Sequence, residues 1–142
     1  MNAMSANTPT LAATRCGVYR TPPGMDALRK AAKAAGLVWL DMPLAAVTDK
    51  AQFLTVCKKQ MKLPAHFGEN WDALADCLSD LSWLKSKGYV LHLASGEQFA
   101  KSAPADYRTA LSVLDEAAAY WKSKGTPFVV FVDGAGDLPV FS

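Results

Sequence analysis

The residues that first suggest chemistry are carboxylates. Asp72, Asp76 and Asp80 recur at intervals of four, Glu69 stands just ahead of them, and the stretch from Leu63 to Leu84 has no Lys or Arg. On a helix this spacing lines the three aspartates along one face. Like charges one turn apart are destabilising by about 0.2–0.5 kcal/mol per pair, so stability does not ask for such a row. Asp72, near the helix start, regains something from the helix dipole, and Asp80, near the end, loses. The chemistry open to the row is neutralisation of a cationic partner. A merely solvated polar face has the same pattern.

The other reactive types are scattered. A nucleophilic enzyme would need a set such as Cys57 or Cys77 with His66 and Asp72, and no nucleophile motif surrounds either thiol. Three cysteines and two histidines lack metal-ligand spacing. His92 sits in an apolar run and reads as a core or edge histidine. Gly134-Ala-Gly136 has no helix after it, so it is a turn and not a phosphate loop. We therefore expect no catalytic residue, no metal and no cofactor.

The elements that position the acids follow from periodicity. Asn70 is a suitable N-cap for a helix reaching about Leu81, whose Trp71, Leu74, Leu78 and Leu81 form the core-facing stripe. Leu63–Glu69, with Pro64 and Gly68, is the loop leading into it. Around this pair lie strands at 16–20, 37–40, 89–93 and 128–132. Helices are expected at 25–35, at 48–61 with Thr48 as N-cap, at 97–101 and from Pro104 to Lys124. Phe128–Val132 is apolar throughout, as suits a strand buried on both faces. Alternating strands and helices indicate an α/β domain with a small, mainly parallel sheet in two or three layers.

Composition sets the outer bounds. With 142 residues and 51% hydrophobic side chains, the chain supports one full core. An odd cysteine count without CxxC spacing argues against a disulfide framework and for a reducing, cytoplasmic setting. No apolar run approaches a membrane span or a signal peptide, so no membrane association is expected. Residues 1–36 carry Arg15, Arg20, Arg29, Lys30 and Lys33 against Asp26, a net of +4. Tyr19 is the only aromatic in that basic stretch, which disfavours direct nucleic-acid binding. The expected organisation is a tail over 1–14 and one domain over 15–142, with a core of 37–133 and an N-terminal strand and helix over 15–36.

The segment Leu63–Leu78 resembles the signature of the barstar family of ribonuclease inhibitors. The shared residues are Leu63, Pro64, Phe67, Gly68, Glu69, Asn70, Asp72, Ala73, Leu74, Asp76, Cys77 and Leu78. The order of elements from about Leu37 to Val132 follows the same family, and residues 1–36 lie outside it. The resemblance implies a barstar-like fold and protein binding rather than catalysis. It implies that loop and helix occlude the cleft of a barnase-type, guanyl-specific ribonuclease, one to one, as a monomer.

By position, Asp76 would replace an RNA phosphate in that cleft and Asp72 would meet a basic group at its rim. His66 would pack against the catalytic site, and Gly68 and Asn70 would bring the loop backbone near the base position. Phe67, Trp71, Ala75 and Asp80 complete the expected contact set. Ala75 stands where the family often has tryptophan. A further acidic contact of the family falls near Ala119 or Tyr120, with Asp115 and Glu116 one turn away. A barstar-fold immunity or regulatory protein with a non-ribonuclease toxin or another basic partner is the alternative.

Overall fold

The structure, a computed structural model, describes residues 10–65 and 67–141. The strands are β1 (Gly17–Arg20), β2 (Val38–Pro43), β3 (Tyr89–Ala94) and β4 (Phe128–Val132). They form one parallel sheet in the order β1-β4-β3-β2. The helices among the described residues are α1 (Met25–Ala34), α2 (Lys50–Gln60), α3 (Trp71–Leu78), α4 (Glu97–Ser102) and α5 (Pro104–Ser123).

Parallel neighbours require crossovers, and their sides decide the layering. β1 and β2 are the two edges, so the connection through α1 spans the whole sheet. Leu28 and Ala32 of α1 pack there with Val90, Val129 and Phe131. The other helices cover the opposite face, where Leu54, Leu74, Phe99 and Leu114 meet Leu91, Val130 and Val132. Side chains alternate along each strand, so β3 and β4 supply both cores at once. All five residues of β4 are buried. The domain thus has three layers, which settles the choice between two and three. The N-terminal strand and helix supply one sheet edge and one entire layer.

Three expected boundaries shift, the first being that of β2, which runs on to Pro43 instead of ending at residue 40. The N-cap of α2 is Asp49, whose side chain accepts from Gln52 N–H at 2.8 Å, and not Thr48. Thr48 instead donates through its N–H and its hydroxyl to the Gln52 side chain, at 2.7 and 3.0 Å. A carboxylate at the N-cap outcompetes a hydroxyl one residue earlier because it also meets the positive helix end. The acidic helix ends at Leu78 rather than near Leu81. Trp121 of α5 donates its indole N–H to the Leu78 carbonyl at 2.7 Å, taking the acceptor that another turn would use, and Leu81 is left-handed at φ 50°. Of the tail expected over 1–14, residues 1–9 lie outside the described residues. Leu11 is buried and Ala13–Arg15 form a 3-10 turn.

Candidate functional site

The acidic surface begins with a tightly built loop. α2 closes with Lys62 in the left-handed region at φ 53°, and Leu63 N–H bonds back to the Lys58 carbonyl at 3.0 Å, the pattern of a Schellman cap. Leu63 and Phe67 drop into the main core, and Phe67 N–H bonds the Pro64 carbonyl at 2.9 Å. Glu69 is the second left-handed residue, at φ 52°.

Asn70 then starts α3. Its side-chain oxygen accepts from Ala73 N–H at 2.8 Å, and its amide nitrogen donates to the Gly68 carbonyl at 3.3 Å. Gly68 is not in the left-handed region, so its glycine has another reason. A Cβ there would press on the Asn70 amide nitrogen at 3.3 Å. The glycine keeps room for the cap.

Leu74 and Leu78 are fully buried, while Trp71 is half-buried with its ring 5.9 Å from Phe53. Asp72 and Asp76 are exposed one turn apart on the helix. Asp80 is also exposed but lies beyond the helix end, where it accepts from the Ser82 hydroxyl at 3.2 Å. The row expected on one helix is therefore two helical carboxylates and a third on the following turn. Among the described residues no cation lies within 4 Å of any of the three.

The other expected contact residues sort by burial. Gly68 and Asn70 are exposed and Ala75 is half-buried against the core. Phe67 is only 6% exposed, so its ring anchors the loop from below and is not on the surface. The hydrophobic effect draws an apolar ring of this size out of water. His66 lies outside the described residues. Tyr120 is exposed on α5 beside Trp121, which ties α5 to the end of α3.

The thiols fit no nucleophile. Cys57 is buried and its thiol is pushed far up by burial. The Cys77 thiol is raised first by burial and then by the negative charges of Asp76 and Asp80. Both are held protonated at neutral pH.

Two features escaped the sequence reading. The first is the backbone of Glu69, an exposed loop residue in the left-handed region with Lys58 Nζ 3.9 Å from its carboxylate. No sequence signal marks a non-glycine residue for that conformation. The second is a polar chain across the α1 side of the sheet. Arg29 donates twice to Asp41, His92 lies 3.7 Å from Asp41 and 2.9 Å from Asp133, and Thr21 donates to Asp133 at 2.6 Å. Asp41 and His92 are register partners on adjacent strands, a pairing legible only once strand order is known.

A comparison with protein families matches residues 38–133 to the model described as Barstar (barnase inhibitor). No curated protein matches the chain.

Proposed function

The chain belongs to the barstar family, and we propose that it inhibits a barnase-type ribonuclease by placing the 63–69 loop and helix α3 in the enzyme's RNA cleft. One observation carries this reading. Asp72 and Asp76 stand exposed on a capped, anchored helix, with no cation within 4 Å among the described residues. A cleft that stabilises a phosphate in flight must be cationic. Carboxylates already fixed in place meet those cations without the entropy of ordering a flexible segment. No bond in them is open to the enzyme's chemistry, so they occupy the site without being consumed.

In this reading Asp76 takes the phosphate position, Asp72 meets a basic group at the rim, and the Gly68 and Asn70 backbone lies near the base position. The role is binding, not catalysis. Complementary charge raises the association rate above that of neutral partners, a principle for which barnase and barstar are themselves the worked example.

The test is inhibition of RNA cleavage by a barnase-type enzyme at micromolar protein. Asp76→Ala should weaken binding by about 2–5 kcal/mol, the usual cost of leaving buried charges unpaired, a range drawn partly from the same pair. Full ribonuclease activity in the presence of micromolar wild-type protein would overturn the proposal.

Ala75 favours a second reading. A small side chain between the two helical aspartates removes contact area where the family often has tryptophan. That suits a toxin of different shape whose binding cleft is equally basic. Titration against a barnase-type ribonuclease and, separately, against a basic toxin that is not a ribonuclease distinguishes the two.

A further inference from the structure

The two edges of the sheet are not alike. β1 is closed by the C-terminal segment: Arg20 bridges to Val140, and Arg20 N–H donates to the Pro139 carbonyl at 3.0 Å. No strand among the described residues pairs with the outer side of β2. The bonds from Val38 N–H to Gly88 and from Leu44 N–H to Ala94 fix its parity. Val38, Leu40 and Met42 turn their backbone groups toward β3. Trp39 and Asp41 therefore turn both N–H and C=O outward, and Pro43 turns out a carbonyl alone.

The two sides of this open edge also differ. On the α1 side lies a groove of ≈ 550 Å³ lined by Arg29, Lys30, Lys33, Gly36, Leu37 and Trp39. The lining has three cations and no carboxylate. Arg29 is committed, with both terminal nitrogens 3.2 Å from Asp41 and its guanidinium 4.6 Å over the Trp39 ring. Lys30 and Lys33 have no carboxylate within 4 Å among the described residues. The stem of Lys87 lies 3.2 Å from where a Gly36 Cβ would stand, which adds a cation at the rim. On the α2 side, at the end of the same strand, a groove of ≈ 380 Å³ is uncharged and lined by residues including Pro43, Ala46, Val47 and Val56.

We propose that the β2 edge accepts an extended segment of another protein in which acidic and apolar residues alternate. An added strand would pair with the outward groups of Trp39 and Asp41. Its side chains would alternate between faces with period two, acidic ones toward Lys30 and Lys33 and apolar ones toward the uncharged groove. Charge complementarity selects an acidic segment over a second copy of this chain, because two β2 edges would bring their lysines together. Arg29–Leu37 lies outside the residues matched to the family, and the surface is independent of the acidic loop and helix.

The probe is an acetylated and amidated hexapeptide of alternating glutamate and valine, titrated into the full chain and followed by amide hydrogen exchange. Exchange of the Trp39 and Asp41 amides should slow by about tenfold or more at saturation. Affinity should fall by about tenfold between about 50 and about 300 mM salt, as expected for exposed charges. Lys30→Glu with Lys33→Glu should abolish peptide binding and leave ribonuclease inhibition unchanged. Equal binding of a lysine–valine peptide, or binding without protection of those two amides, overturns the proposal. So does tighter binding of oligouridylate at the same lysines, which makes this a phosphate site. If the peptide does not bind and Lys30→Ala with Lys33→Ala self-associates, the lysines only guard the edge.

Discussion

At the scale of single residues, the surface is defined by carboxylates that have no cation within 4 Å among the described residues. Asp41 and Asp133 are held by arginine, histidine and threonine, whereas Asp72, Asp76 and Asp80 face solvent. Cys77 reports the resulting field from within, its thiol raised by burial and then by Asp76 and Asp80. Alkylation of Cys77 at pH 8 should run slower than that of free cysteine, because the thiolate is the reactive form. Asp76→Asn should speed it, which peptide mapping by mass spectrometry reads site by site. An unchanged rate in that variant would mean that the local negative charge is not felt at the thiol.

At the scale of elements, α3 is set by the turns on either side of the loop that leads into it. Lys62 and Glu69 hold left-handed backbone without being glycine, a conformation costing about 1–2 kcal/mol for an L-residue. Lys62→Gly relieves that cost at a helix cap while loosening the unfolded chain, so we expect a gain of up to about 1 kcal/mol in urea unfolding. Asn70→Ala removes both the cap on Ala73 and the brace on Gly68. The expected loss is about 1 kcal/mol of stability, with a faster dissociation from the ribonuclease, measured by surface plasmon resonance, because the loop is no longer pre-set.

At the scale of the whole molecule, the two candidate surfaces lie in different layers. The aspartates lie on the α3 side of the sheet and the basic groove on the α1 side. The polar chain from Arg29 to Thr21 ties the N-terminal layer to the sheet at both ends. Arg29, then Trp39, hold the Asp41 carboxyl below its usual range against a burial effect that raises it. For Asp133 burial acts upward first, but the hydrogen bonds from Thr21, His92 and Ser95 N–H outweigh it. A carboxyl lowered by folding contributes stability above its unfolded pKa of 3.8 and loses it as pH falls through the folded value. Stability should therefore decline below about pH 4. Asp133→Asn should be less stable near neutral pH and flatter on the acid side, as followed by urea unfolding across pH.

Much of this was present in the order of residues. The alternation of apolar strands with helices, the Asn70 cap and the spacing of the aspartates are local properties, decided within a few residues by backbone geometry and hydrophobic period. The signature from Leu63 to Leu78 carried the family for the same reason, since a loop and a short helix are contiguous in the chain. What the tertiary structure decided depends on groups distant in sequence. Trp121 ends α3 from 43 residues away and so moves Asp80 off the helix. Phe67 faces inward because the core needs filling there. Asp41 meets His92 only because β2 and β3 pair in one register. The open edge of β2 exists because α1 carries the chain across the entire sheet, and no stretch of sequence read alone contains the strand order that makes it so.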